Sequence, residues 1–302
     1  MNRLGGITPE FCGNSVISGS KFFWSHVSGG WRGFLAFERY ALILRSVRYG
    51  DDDRVVTFFS LEEGLLTGFA RGANATGNRF GAALSPLTFS SLLGRHHTPD
   101  SLFRLHKANV IDPFPGIRND YDKLLWAGLP VRAVLSLLPP HVQEPALFEL
   151  FLHYLCLLDK ERERHALLWI RFSSRMLRIL GFGPLTPVCH GCGLEILLGK
   201  VRFDPESGRV RCRDCSRMDG EKSREPVCQA DILRILERFS GEDMQRSERV
   251  VLSDHQEGHL LELIDQMISW HVHHWTFSQT LPFLGKAPLP VKTGRNEHLS
   301  ML

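Results

Sequence analysis

The chain has 302 residues, of which 43% are hydrophobic and 23% are charged, and its formal net charge is +3 at pH 7. These values are ordinary for a globular protein, and its seven cysteines are too few and too unevenly placed for a secreted disulfide scaffold. The sequence contains no run of 18 apolar residues, so it gives no indication of a membrane-spanning helix. Residues 1–38 lack the apolar segment and cleavage site of a signal peptide, so we expect a cytoplasmic protein.

Residues 40–112 contain five short segments rich in β-branched, aromatic or apolar residues, separated by glycine-containing turns. The predicted strands are Ala41–Val47, Arg54–Ser60, Leu65–Arg71, Leu87–Leu93 and Ser101–Val110. Five strands at this spacing fit a small barrel such as the OB-fold, although periodicity alone leaves a five-stranded sandwich open. We predict a barrel domain over 39–115, preceded by an extension over 1–38 whose order the sequence does not indicate.

Helical periodicity begins after Pro113 and Pro115. We predict helices over about 121–138, with a kink at Pro130, over about 145–159 and over about 163–180. Helical spacing returns at 232–239 and 260–275. The fold class is therefore predicted as α+β, with a helical domain in two parts, 116–187 and 225–280, and an extended or disordered tail over 281–302.

Four cysteines interrupt the helical domain in two pairs, Cys189 with Cys192 and Cys212 with Cys215. This C-x2-C…C-x2-C spacing is typical of a structural zinc site. Four thiolates complete a tetrahedral shell and leave no open position for a substrate, so we predict one structural Zn²⁺ in a module over 188–224. The alternative is two redox pairs or disulfides, which would need an oxidising compartment that nothing in the sequence indicates.

Catalytic motifs are not evident, and we predict that the chain is not an enzyme. Neither Gly199-Lys200 nor Gly285-Lys286 has the glycine five residues earlier that a phosphate-binding loop needs. His255-Gln256-Glu257 matches part of a zinc-deaminase pattern, but it follows the cysteines instead of preceding them. His271, His273 and His274 could form a second metal site, although their spacing favours helix-end and surface roles.

Arginines in two regions are candidates for binding DNA phosphates, because guanidinium groups bind phosphates bidentately. They are Arg45, Arg48, Arg54, Arg71 and Arg79 in the barrel, and Arg164, Arg171, Arg175 and Arg178 along one face of the third helix. Between residues 200 and 224, eight Lys or Arg stand against five Asp or Glu. Each patch alone is equally consistent with a solvated, ion-paired face, but together they favour nucleic acid.

The order of these motifs resembles the RecO family of bacterial recombination mediators. The resemblance rests on Leu42 to Arg45, Tyr49-Gly50-Asp51, Gly64-Leu65-Leu66, Arg79 to Leu84, Leu177 to Gly181, the two cysteine pairs, Phe203 and Gly208. It implies an OB-fold, a helical domain and an inserted zinc module. Two features depart from the family pattern: residues 74–78 carry no Lys or Arg, and the tail past Leu281 is less basic than expected.

The resemblance also implies a function without turnover: binding of single- and double-stranded DNA, annealing of complementary strands, and loading of RecA onto DNA coated by single-stranded DNA-binding protein. The implied partners are RecR, in many bacteria RecF, and the acidic C-terminal tail of the coating protein, which the helical domain recognises. Such a protein would be nucleoid-associated. The alternatives are a zinc-ribbon RNA-binding protein of ribosome assembly and a metal-dependent nuclease, which would need a second, carboxylate-lined cation site.

Overall fold

The computed structural model describes residues 37–96, 101–161, 164–182, 187–204, 207–218, 226–241, 251–272 and 275. Nearly all of the predicted N-terminal extension, the tail over 281–302, and His273 and His274 lie outside the described residues. None of the helices in the described part of the chain combines the length and apolar content that crossing a membrane requires.

The N-terminal part is a closed five-stranded barrel, which confirms the OB-like prediction and excludes the sandwich. Its strands are β1 (Phe37–Tyr49), β2 (Asp53–Ser60), β3 (Gly64–Ala70), β4 (Phe89–Arg95) and β5 (Phe103–Asp112), hydrogen-bonded in the order β1-β2-β3-β5-β4. Only the β3–β5 pairing is parallel; the other pairings are antiparallel. Each predicted strand overlaps an observed one, because β-branched, aromatic and apolar residues between turn signals marked them in the sequence.

Alternate residues of the barrel strands enter two different cores. Ala41, Ile43 and Phe58 point inward and form the barrel interior with Leu66 and Phe103. Their neighbours on the outward face belong instead to the core of the helical domain; these are Leu42, Leu44, Phe59, Leu65 and Phe89. The register of β1 on β2 shifts between Ile43 and Arg45, which is a β-bulge at Leu44.

The helical domain starts with the short α1 (Pro115–Arg118) and continues through α2 (Tyr121–Leu137), α3 (Pro145–Lys160) and α4 (His165–Ile179). The Asp120 side chain caps α2 by accepting a hydrogen bond from the Lys123 backbone N–H at 3.1 Å. Pro130 lies inside α2, as predicted. Most of the apolar side chains of α3 are buried, so this helix is central to the domain.

A second sheet follows the first cysteine pair. Strands β6 (Lys200–Phe203), β7 (Val210–Arg211) and β8 (Val227–Gln229) are antiparallel in the order β7-β6-β8, with α5 (Arg213–Met218) between β7 and β8. Strand β8 leads directly into α6 (Ala230–Gly241), and α7 (Asp254–His271) completes the domain. The predicted module boundary at residue 224 thus precedes a strand that pairs with β6.

Aromatic packing joins the barrel to the helical domain. The Phe148 ring on α3 lies 5.5 Å from the Phe59 ring and 6.2 Å from the Phe89 ring, measured between centroids. Nearby, the His141 backbone N–H donates to the Leu65 carbonyl oxygen at 3.1 Å. These contacts fix the barrel on the helices at one end of its outward face.

Candidate metal centre and nucleic-acid surface

The four module cysteines come together in space as their spacing predicts. All four sulfur atoms lie within 4.8 Å of one another, and Cys192 Sγ and Cys212 Sγ are 3.9 Å apart. Around a tetrahedral zinc with Zn–S bonds of about 2.3 Å, neighbouring sulfurs are separated by about 3.8 Å. The donor set and its geometry therefore fit a single thiophilic metal ion. In the described part of the chain no other such ligand cluster forms, so the carboxylate site needed for a nuclease is not seen there.

Backbone groups hold the two cysteine turns in shape. The Gly193 N–H donates to the Cys189 carbonyl oxygen at 2.8 Å, and the Cys212 N–H donates to Cys189 Sγ at 3.2 Å. Gly193 has φ +73°, a conformation that favours glycine. A Cβ atom at Gly191 would stand 3.0 Å from Cys215 Sγ. The close approach of the first cysteine turn to the second pair therefore favours a residue without a side chain at position 191.

The thiols of the cluster differ in acidity. Burial would raise the pKa of Cys189, but hydrogen bonds from the backbone N–H groups of Cys212, Cys192 and Gly191 outweigh it and lower that pKa to about 6. Hydrogen bonds that the Cys215 thiol donates to the other sulfurs, with that to Cys212 first, raise the pKa of Cys215 to about 12. A metal ion must therefore displace protons from these sulfurs, and it does so more readily at Cys189 than at Cys215. The four cysteines of the cluster form no disulfide with one another.

Four of the five predicted barrel arginines lie near the β1–β2 turn or in the chain that follows β3. Arg45, Arg48, Arg71 and Arg79 are exposed, whereas Arg54 is half-buried and donates from Nε to Asn74 Oδ1 at 2.6 Å. Asn74 in turn binds the β1–β2 turn, since its backbone N–H donates to the Asp52 carbonyl oxygen at 2.7 Å. The loop over 74–78, which lacks Lys and Arg, therefore positions the Arg54 side chain through Asn74.

The predicted arginines in and just before α4 differ in their exposure, because α6 packs against part of this helix. Arg171 is only 4% exposed, and its guanidinium carbon lies 5.5 Å from the centroid of the Phe239 ring. It cannot reach a DNA phosphate from there, and we exclude it from the predicted contacts. Arg178 is exposed but donates to the Ser240 carbonyl oxygen at 3.5 Å, Arg175 is half-buried, and Arg164 is exposed just before the helix.

Arg104 is a basic residue of the barrel surface that was not among the predicted ones. Arg104 is exposed on β5 and pairs with Phe69 across the parallel β3–β5 contact. Residues 69 and 104 are far apart in the chain, and no local pattern marks a parallel pairing. Only the closure of the barrel brings Arg104 beside the surface that carries Arg45 and Arg71.

Comparison with known proteins gives matches to two family models. Residues 35–114 match the model described as "Recombination protein O N terminal", and residues 118–279 match "Recombination protein O C terminal". A relative named DNA repair protein RecO from Anaeromyxobacter sp. (strain K) is 37% identical over 175 residues, covering 58% of this chain and 68% of the relative. The protein of the same name from Geobacter sulfurreducens is 31% identical over 236 residues, covering 77% and 91%.

Proposed function

Because the chain belongs to the RecO family of DNA repair and recombination proteins, we propose that it binds single- and double-stranded DNA and anneals complementary strands. We further propose that it helps to load RecA onto DNA coated by single-stranded DNA-binding protein. The observation that carries this proposal is the joint match of both family models, over 35–114 and 118–279. The exposed arginines of the barrel support it, because they offer fixed positive charge to phosphates.

Annealing needs no bond chemistry from the protein. Two complementary strands repel each other through their phosphates, and guanidinium groups that contact both backbones reduce that repulsion. Binding of this kind releases condensed counterions, so the observed affinity falls as salt is added. ATP is not required for this step.

The cysteine cluster holds one Zn²⁺ in this proposal, through Cys189, Cys192, Cys212 and Cys215. The fit of the four sulfurs to a tetrahedral shell supports zinc, and thiolates are ligands that zinc accepts readily. The metal fastens the two turns and takes no part in DNA chemistry, because all of its coordination positions are filled by the protein.

The partners we propose are RecR, the acidic C-terminal tail of single-stranded DNA-binding protein, and RecF. Family membership supports all three, and the helical domain is the part that would receive the tail. A pull-down with purified RecR and with a synthetic tail peptide tests them separately from DNA binding. Capture of neither would contradict the mediator role even if the chain anneals DNA.

The annealing proposal is tested with labelled complementary oligonucleotides, with and without the purified protein, over a series of salt concentrations. We expect ATP-independent acceleration that weakens as salt rises. Arg71→Glu on the barrel should reduce the acceleration, whereas Lys160→Glu, an exposed change at the end of α3, serves as the matched control. Annealing no faster than the spontaneous rate would refute the proposal, and preferential binding of RNA in competition would favour the ribosome-assembly alternative.

A further inference from the structure

The outward face of the barrel is divided into two halves of different character. At one end, Leu42, Phe59 and Leu65 are paired across β1, β2 and β3 and are buried against the helices. Toward the other end of the same face, the pairing Val47–Val55–Phe69 crosses the same three strands. There Val47 is 44% exposed, and Val55 and Phe69 are half-buried. This second half is an apolar surface that stays partly exposed beside the described helices.

An aromatic pair lies on this partly exposed half. Tyr49, the last residue of β1, is 62% exposed, and its ring meets the Phe69 ring edge-on, with centroids 5.9 Å apart and planes at 83°. The bulge at Leu44 is what aims Tyr49 outward, because the extra residue shifts the alternation of β1 after Ile43. Arg45, Val47 and Tyr49 then share the outward face.

Three exposed arginines surround the aromatic pair. Arg45 is two residues before Val47 on β1 and lies on the same face. Arg71 comes directly after β3, at the end of that strand nearest Tyr49, and Arg104 on β5 pairs with Phe69. Strands are about 4.8 Å apart and same-face residues about 7 Å apart along a strand. By this register the three arginines lie within two strands or two rows of Tyr49 and Phe69, at separations that a flexible polyanion can follow.

Charge and shape together favour one occupant. The Asp53 carboxylate on this face is engaged, since its Oδ1 accepts a hydrogen bond from the Gly72 N–H at 2.8 Å. The barrel is closed, so it offers no free strand edge for a peptide to extend. Flat rings bordered by arginines match unpaired bases on a phosphate backbone, because every base has a face that can stack on an aromatic ring.

We propose that Tyr49 and Phe69 form a stacking platform for unpaired bases of single-stranded DNA, with Arg45, Arg71 and Arg104 holding the adjacent phosphates. The proposal rests on the DNA binding proposed above and adds to it the residues that distinguish single strands from duplex. In a duplex the base faces are already stacked on one another, so the platform contributes nothing there. Duplex binding then depends on the arginines alone.

The test compares binding of a labelled oligothymidine and of a blunt duplex of equal length by fluorescence anisotropy. Tyr49→Leu keeps apolar surface but removes the ring, and we expect about 5- to 150-fold weaker binding of the oligothymidine with duplex affinity unchanged. Tyr49→Phe keeps the ring and should bind as the parent protein does. Tyr121→Leu is the matched control, because Tyr121 is also 62% exposed but belongs to α2 and not to the barrel strands that carry Tyr49 and Phe69.

The outcomes separate this inference from the proposed function. Equal oligothymidine binding by the parent and by both Tyr49→Leu and Phe69→Leu would overturn the platform while leaving DNA binding intact. Equal losses on both DNA forms would also overturn it, since that result indicates general damage to the surface. An altered sedimentation coefficient with unchanged DNA binding would assign the face to contact between copies of this chain. A parent protein that binds neither DNA form would instead refute the proposed function.

Discussion

Loss of the metal should unfold the cysteine module and loosen the helix that follows it. Chelation removes the ion, whereas Cys189→Ser removes a fully buried ligand whose sulfur also accepts the Cys212 N–H. A structural zinc contributes about 10–16 kcal/mol to small zinc-binding peptides at neutral pH, compared with a total stability of about 5–15 kcal/mol for a typical domain. Even a fraction of that contribution exceeds what the two short strands β6 and β7 can supply by themselves.

The packing indicates how far the unfolding should spread. Val201, Phe203 and Val210 of the module are buried in the same core as the helices, and β8 runs without a break into α6. The barrel interior is a separate cluster. We therefore expect amide hydrogen exchange to become faster in 187–218 and 226–241 when the metal is removed. The five strands of the barrel should keep their protection from exchange.

Hydrogen exchange combined with metal analysis measures this directly, with Cys228→Ala as the matched control. Cys228 lies on β8 opposite Val201, outside the four-sulfur cluster, so its replacement should leave the metal content at about one ion per chain. Complete loss of metal with unchanged exchange in 187–218 would refute the reasoning. Loss of protection in the barrel as well would show that the two cores are coupled more tightly than their packing implies.

Three further changes probe the barrel and its seam with the helices. Gly64→Ala should destabilise by about 2 kcal/mol or more in chemical denaturation, because Gly64 has φ +74° and a Cβ would stand 1.9 Å from the Val142 carbonyl oxygen. Phe148→Ala should cost about 3–5 kcal/mol, and an unchanged midpoint would contradict its buried contacts with the barrel. Burial raises the pKa of the Glu62 carboxyl above its ordinary 4.5, so the folded state favours the protonated form. The protonated Glu62 therefore contributes to stability below pH 4.5, and this contribution is lost as pH rises through the folded-state pKa. In chemical denaturation measured between about pH 4 and 7, Glu62→Gln should show no such decrease in stability, because its side chain does not ionise.

Much of the fold could be read from local patterns. The barrel strands are short runs of β-branched, aromatic and apolar residues between glycine-containing turns, and α3 is apolar on most faces, so both could be recognised from local composition and spacing. The four-residue α1 and the two- and three-residue strands β7 and β8 could not be predicted, because such short elements carry no periodicity. They form only because residues distant in sequence supply their partners.

The candidate site was predictable where chemistry depends on spacing and unpredictable where it depends on packing. The cysteine pairs carry their own turn geometry, so their convergence could be anticipated. The arginine face of α4 looked like a surface for phosphates, since helical geometry puts Arg171, Arg175 and Arg178 together. The sequence does not indicate that α6 lies against that face, where Phe239 covers Arg171.

The bulge at Leu44 shows why a barrel surface is harder to predict than a barrel. Strict alternation from Ile43, which points inward, would also turn Val47 and Tyr49 inward. The register shift reverses this, so that Ser46 pairs with the inward Val56, and Tyr49 reaches solvent. The accommodation of Leu44 as a bulge thus decides whether the end of β1 fills the interior or presents a ring to a ligand. Deleting Leu44 removes only the unpaired residue, so Arg45 should still pair with Thr57 and Tyr49 should stay outward. Single-strand binding should therefore persist in this variant, whereas the midpoint of chemical denaturation should fall because the buried Leu44 side chain is lost from the core.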